Sequence, residues 1–182
     1  MGYNATIVHV PRAGVDSALG LLGAERTSRD DHHNESPLSI AEREDSALIW
    51  YNARARLWPG VRELDQVLTE MSRSGDVAVF DVNDGDVVST VRFLSGGVAK
   101  WAVAHNAETG AKHLQVDAKV PKFVKDIVAD HRRDPSKLPA VEVPVAVFEE
   151  MTGFRYDCAD GAQFRALERA KPAKRKPWWR IW

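Results

Sequence analysis

The chain has 182 residues, of which 44% are hydrophobic and 28% are charged. This composition is typical of a soluble globular protein, so it excludes a wholly disordered chain and a membrane-embedded one, and the length predicts one domain rather than two. The formal net charge is −1, but residues 171–182 carry five basic side chains and no acidic one, which leaves −6 for residues 1–170. We therefore predict a mildly acidic body that does not bind nucleic acid.

Cysteine content and hydropathy narrow the class of protein further. Cys158 is the only cysteine, which excludes an internal disulfide and a multi-cysteine zinc site within one chain. No apolar run follows a basic start, and no segment approaches the roughly 20 apolar residues that cross a bilayer. These features predict a cytoplasmic protein.

The first elements along the chain are short. Residues 4–10 alternate in polarity and predict a strand that ends at Pro11, and residues 16–22 predict a short helix. Residues 24–37 are polar and rich in turn-forming residues. We predict a mobile loop over this segment.

Two amphipathic helices are predicted next. Asp45 is a suitable N-cap for the first, which ends at Pro59 and Gly60. The apolar residues at helical spacing in this segment are Ile49, Trp50, Ala53 and Leu57. The second helix begins at Val61 and ends near Gly75, with apolar and charged residues on opposite sides.

An antiparallel meander is predicted over residues 76–118. Asp84-Gly85 lies between two alternating apolar runs and indicates a two-residue hairpin turn. A three-residue turn over residues 95–97 then places Trp101 opposite Val91, and a third hairpin follows. The predicted pairs are Val82 with Val87, Phe80 with Ser89, Ala78 with Val91, Arg92 with Lys100, Val103 with Leu114, and Trp101 with Val116. The predicted core face carries Phe80, Val91, Trp101, Val103, Leu114 and Val116.

The remaining elements complete the predicted fold. A helix begins after Pro121, and residues 144–152 predict a short helix with Gly153 just past its end, although their apolar run is also compatible with a strand. The sequence thus predicts a single α+β domain over residues 1–157, in which a four-stranded meander packs against helices. Residues 158–182 are predicted to form a C-terminal extension.

Two histidine-containing clusters offer side chains of the types used in catalysis or metal binding. Residues 30–33 read Asp-Asp-His-His and offer metal-ligand types, but an unsupported loop does not preorganise them, so a solvated loop is the favoured interpretation. His105 and His113 flank a hairpin, as an acid and base pair would. The predicted register places them on opposite faces of the sheet, which argues against a joint catalytic role.

A cationic patch is the remaining candidate on the sheet. Arg92, Lys100 and His113 share the outer face in the predicted register and could bind a small phosphate or an acidic partner. A plainly solvated face explains the same residues. No glycine-rich phosphate loop, dinucleotide motif, His-Glu-x-x-His or nucleophile elbow is present in the sequence. We therefore predict no cofactor, no metal and no catalytic residue.

The last twelve residues, KPAKRKPWWRIW, form a basic, tryptophan-rich tail. Tryptophan with basic residues favours the interface of an anionic membrane, but it also suits docking onto a protein surface. An end without a function is the third interpretation, which the cost of exposed tryptophans disfavours. The candidate contact residues of the tail are Lys174, Arg175, Lys176, Trp178, Trp179, Arg180 and Trp182.

The run VAKWAVAHNAETGAKHLQVDAKVPKFVKDIVADHR followed by VEVPVAVFEEMTGFRYD resembles small bacterial proteins of the toxin-immunity type. The resemblance covers residues 97–157 and carries no defining motif. It implies a cytoplasmic binding protein that blocks a toxin by occupying its active face, with an acidic body suited to a basic toxin. The alternatives are a small enzyme, a hydrolase or nuclease with a polar site on the sheet, and a peripheral membrane protein attached through its tail.

Overall fold

The computed structural model describes residues 3–52, 61–158 and 162–170, with backbone alone at 61 and 62. Within them, the strands are β1 Asn4–Pro11, β2 Ala24–Asp30, β3 Leu38–Glu42, β4 Ser46–Asn52, β5 Val77–Asn83, β6 Val88–Ser95, β7 Val98–Asn106, β8 Gln115–Val116 and β9 Arg165–Arg169. The helices are α1 Val15–Leu22, α2 Val61–Ser74, α3 Lys122–Arg133 and α4 Glu142–Thr152, and a 3-10 turn spans Arg12–Gly14.

All nine strands of this part of the chain form one antiparallel sheet in the order β2-β9-β3-β4-β1-β5-β6-β7-β8. The α+β class fits, but the predicted four-stranded meander is wrong as a description of the sheet. The meander β5 to β8 is only one end of it, and β1 joins that end to four further strands.

Helices cover both faces of the sheet. On one face, α1 and α2 pack on a core that includes Val8, Ile49 and Val79. On the other face, α3 and α4 pack on a core that includes Ile7 and Trp50. Because successive strand residues point to opposite faces, a strand in the middle of such a sheet is apolar at every position.

That double burial explains why the helix predicted after Asp45 is wrong. The segment forms β4, in which residues 46–51 are all buried. A continuous apolar run contains helical spacing by chance, so periodicity alone does not separate the two structures. The part of the predicted helix from residue 53 to 60 lies outside the described residues.

Of the other predicted elements, several are confirmed and one is partly wrong. The first strand and the helices predicted at 16–22, from 61, after 121 and at 144–152 are confirmed as β1 and α1 to α4. The mobile loop predicted over 24–37 is wrong for residues 24–30, which form β2. Strand β9 lies within the predicted extension, yet it pairs with both β2 and β3.

The register of the first hairpin differs from the predicted one by two residues. Val82 pairs with Ser89 and Phe80 with Val91, because the turn holds four residues, Asp84 to Val87, instead of two. The Asn83 side chain stabilises the wider turn: its Oδ1 accepts the N–H of Gly85 at 3.1 Å. A shift of two preserves which face each residue occupies, so Phe80 and Val91 are buried as predicted.

The next two turns also differ in register. Gly96 and Gly97 form a two-residue turn with φ of 62° and 77°, and a bulge after Phe93 places Phe93 opposite Trp101 and Arg92 opposite Ala102. The predicted pairs Trp101 with Val91 and Arg92 with Lys100 are therefore wrong. Strand β8 pairs Val103 with Val116 and Ala104 with Gln115, which replaces the predicted Val103–Leu114 and Trp101–Val116 pairs. Trp101 and Val103 are buried, and Leu114 and Val116 pack partly buried on the same core, as the predicted face required.

Candidate functional site

The structure does not assemble the predicted cationic patch on the sheet. Arg92 lies under α2, where its guanidinium contacts Asp65 and Asp81 at 3.1 Å each. Burial opposes the charge of Arg92, but the two carboxylates raise its pKa above the usual value. Lys100 is exposed in the bulge of β7, and His113 lies in the connection from β7 to β8. Asp65 and Asp81 thus neutralise the charge of Arg92.

The predicted placement of His113 opposite Ala104 is wrong, because Ala104 pairs with Gln115 and His113 precedes β8. The ring centroids of His105 and His113 are 6.4 Å apart. His105 is 2% exposed, and its Nδ1–H donates to the carbonyl of His113 at 2.7 Å. The backbone N–H of Asn106 donates to His113 Nδ1 at 3.2 Å. Both imidazoles therefore hold the backbone of the β7–β8 connection.

The Asp-Asp-His-His segment begins at the last residue of β2 and continues as a loop. Asp31 is buried, and its carboxylate accepts the backbone N–H groups of Glu35 at 3.0 Å and of Ser36 at 3.2 Å. His32 and His33 are exposed. Across the described residues, no group of three or more His, Cys, Asp or Glu side chains could hold a metal ion. Asp31 therefore fixes the backbone of this loop.

The candidate residues of the tail lie outside the described part of the chain. These residues are Lys174, Arg175, Lys176, Trp178, Trp179, Arg180 and Trp182. Their role stays a prediction.

A surface that the sequence did not indicate lies at the β5–β6 turn. Asp84 joins this turn to the start of β1: its backbone N–H donates to the Tyr3 carbonyl at 2.9 Å, and its Oδ2 accepts the Tyr3 N–H at 2.8 Å. Its other oxygen, Oδ1, accepts the Tyr156 hydroxyl at 3.2 Å. One carboxylate thereby holds two tyrosines from distant parts of the chain.

The two tyrosines connect this turn to the hydrophobic core. Tyr3 is 37% exposed, and its ring meets Tyr156 edge-on at 5.5 Å and Trp50 at 5.6 Å. Tyr156 packs on Phe80 at 5.5 Å, and Phe80 stacks on Phe148 of α4. Burial, together with the charge of Asp84, raises the pKa of Tyr156. Tyr156 therefore keeps its proton and its hydrogen bond to Asp84 at neutral pH.

Carboxylates surround these rings. Arg155 bonds Glu142 of α4 at 2.6 Å, Glu149 at 3.4 Å and Asp157 at 2.8 Å. Burial alone would lower the pKa of Arg155, but the hydrogen bonds that its guanidinium donates to Asp157 and Glu142 raise it. One cation faces several acids here, so the local charge is negative.

We name this region the tyrosine–aspartate surface. It consists of Tyr3, Asp84, Arg155, Tyr156 and Asp157, backed by Glu142 and Glu149. Asp86 and Val87 follow Asp84 in the β5–β6 turn at its border. Tyrosine and arginine are the side chains that most often anchor protein interfaces. Rigid rings beside an excess of carboxylates over cations suit a partner with a basic surface.

Val87 is the most unusual residue of the turn that carries Asp84. It has a φ of 50° and is 43% exposed. The left-handed region is unfavourable for a β-branched residue, and no packing requirement explains a large apolar side chain at an exposed position. Strained residues are frequent at functional sites.

We expect Val87→Asn to raise the free energy of unfolding by about 1 kcal/mol, because asparagine tolerates positive φ far better than valine. Val98→Asn is the matched control, since Val98 is 52% exposed but lies in a strand. Urea unfolding of the two variants and the parent chain measures the difference. An equal change in both variants would contradict the strain at Val87.

Comparison with protein-family models, with curated proteins and with solved structures finds no match for this chain. The resemblance of residues 97–157 to toxin-immunity proteins therefore stays a prediction. No helix in the described ranges is long and apolar enough to cross a membrane.

Proposed function

We propose that the protein is a protein-interaction module that binds a basic protein partner through the tyrosine–aspartate surface. The observation that carries the proposal is the position of Asp84 between Tyr3 and Tyr156, with hydrogen bonds to both. The rings are held by the core and by Asp84 before any partner arrives, so binding would cost little side-chain ordering.

The net charge of residues 1–170 also supports a basic partner. Residues 1–170 carry a net charge of −6, and the acids around Arg155 concentrate part of that charge beside the rings. Complementary charge accelerates encounter with a basic partner and orients it. A bacterial toxin neutralised in the cytoplasm is the partner class that we propose, because residues 141–157, which include Arg155 to Asp157, belong to the run that resembles immunity proteins.

The test is a capture experiment from native lysate with two matched lysine variants. Val87→Lys places a cation in the β5–β6 turn beside the tyrosine–aspartate surface. Val98→Lys places a cation at the start of β7, whereas the Val87 carbonyl accepts the N–H of Ala107 just past the end of that strand. Both positions are exposed. We expect a basic protein to be retained by the parent chain and by Val98→Lys and to be lost with Val87→Lys, because like charges repel at an interface.

The captured protein is then titrated directly. We expect the Kd to rise at least about tenfold with Val87→Lys and to rise with ionic strength, since salt screens exposed charges over about 10 Å at 0.1 M. An acidic captured protein, or equal binding by the two lysine variants, would refute the proposal.

A further inference from the structure

A concave site lies at the other end of the sheet, between β2, β9 and β3. Its volume is about 180 Å³, and Ile40 forms part of its lining. Ile40 is 3% exposed. The polar side chains around it are Arg26, Thr27, Glu42, Gln163 and Arg165. The site is remote in the strand order from the β5–β6 turn.

An irregularity in strand pairing creates the cleft. Arg26 pairs with Leu167, and Asp30 pairs with Arg165. Between these two pairs β2 advances by four residues, whereas β9 advances by two. The extra residues bulge, and the hydroxyl of Thr27 donates to the Ala166 carbonyl at 2.6 Å in place of a backbone group. Bulges of this kind open sheet edges and redirect side chains beside binding sites.

Some charged side chains of the cleft have partners of opposite charge within the described residues, and Arg165 has none there. Glu42 accepts hydrogen bonds from Arg26 at 2.8 Å and from Arg12 at 2.8 Å, and Arg26 also pairs with Asp16 at 2.8 Å. The bond from Arg26 lowers the pKa of Glu42, so this carboxylate is ionised and already shared by two guanidinium groups. Arg165, by contrast, is exposed and forms no side-chain hydrogen bond or ion pair with any described residue.

We propose that this cleft binds a carboxylate through Arg165. The planar guanidinium offers two parallel N–H donors, which match the two oxygens of a carboxylate. The amide of Gln163 supplies a neutral donor beside it. The negative charge of Glu42 in the same lining favours a monoanion over a phosphate dianion. The proposal does not depend on the basic partner inferred above.

An NMR titration of the full chain tests the site. Sodium acetate replaces sodium chloride at constant ionic strength, and the side-chain signals of Arg165 Nε–H and the Gln163 amide are followed. We expect saturable shifts in the parent chain. Arg169→Gln is the control, because it removes the same charge from the same strand but Arg169 does not line the cleft.

We expect Arg165→Gln to weaken acetate binding by roughly tenfold or more, the loss that follows from removing a charge-assisted pair of hydrogen bonds. Arg165→Lys should bind acetate with intermediate strength, because it keeps the charge without the planar fork. Shifts that stay linear, or equal losses in Arg165→Gln and Arg169→Gln, would overturn the proposal. Tighter binding of phosphate than of acetate would overturn the assignment to a carboxylate.

The two sources of a carboxylate are an acidic side chain of a protein and a small free acid. A capped peptide, acetyl-Gly-Glu-Gly-amide, distinguishes them. Tighter binding of the peptide than of acetate supports the site with a glutamate or aspartate side chain of a protein as its ligand. Equal binding supports the site with a small free acid as its ligand. Absence of any saturable shift with both probes contradicts the proposal.

Discussion

Trp101→Ala is expected to lower the free energy of unfolding by about 3–5 kcal/mol, the range for an aromatic residue deleted from a packed core. Trp101 is 6% exposed. Its ring stacks on Phe93 at 5.6 Å and meets Phe123 of α3 edge-on at 6.4 Å. Alanine would leave a cavity between the sheet and α3 that neither neighbour can fill without moving.

Chemical unfolding in urea measures this loss, with Val98→Ala as the control on the same strand. Val98 is 52% exposed, so we expect its truncation to change stability by no more than about 0.5 kcal/mol. A loss below about half a kcal/mol for Trp101→Ala would place the ring outside the core. Comparing the slopes of the unfolding curves shows whether the variants unfold from equally compact states.

Trp101 also shows which structural features the hydrophobic pattern of the sequence predicts and which it does not. Its face was predictable, because side chains alternate along a strand and the apolar residues of β5, β6 and β7 have one consistent parity. Its partner was not predictable. Asn83 widens the first turn and a bulge shifts the second, and neither side-chain hydrogen bonds nor bulges leave a clear mark in the hydrophobic pattern.

Strand β4 marks the opposite case, in which the pattern was misleading. Trp50 and Ile49 are each 1% exposed, although they point to opposite faces. Only the knowledge that helices cover both faces tells a buried strand from a helix here. Those helices were predicted correctly, but nothing in the local sequence assigns α1 and α2 to one face and α3 and α4 to the other.

The candidate surface could not have been derived from local patterns either. Tyr3 and Asp84 are 81 positions apart, and Asp84 and Tyr156 are 72 apart. The same limit applies to Arg92, whose charge looked available in the sequence until α2 placed Asp65 against it. Side chains that meet through tertiary contacts are unpredictable unless the topology of the sheet is known.

Strand β9 is a strand that the sequence did not predict, and we expect it to contribute strongly to the stability of the fold. The sequence predicts a C-terminal extension over residues 158–182, yet Phe164, Ala166 and Leu167 are exposed by no more than 3%. The strand lies between β2 and β3. Phe164 meets Trp50 and Phe154 edge-on, each at 5.9 Å.

A chain that ends at Asp157 is therefore expected to lose roughly 5 kcal/mol or more of stability, and a chain that ends at Ala170 is the matched control that keeps β9. Removing Phe164 and Leu167 forfeits the burial of two large apolar side chains, each contributing about 1.5–3 kcal/mol. It also leaves β2 without its partner strand and β3 with a bare edge. A loss of this size approaches the whole stability of many domains, about 5–15 kcal/mol.

Urea unfolding of the two truncated chains, followed by circular dichroism, measures the difference, and Leu167→Ala in the full chain separates loss of packing from loss of chain. Leu167 is 2% exposed, so we expect this variant to be destabilised by about 2–5 kcal/mol. Hydrogen exchange should show lost protection first in β2 and β3, which border β9, while β5 to β7 stay protected longest. Equal stability of the chains ending at Asp157 and Ala170 would mean that β9 is not an integral strand, because no central strand of a sheet can be deleted without exposing its neighbours' backbone groups and the apolar faces it covers.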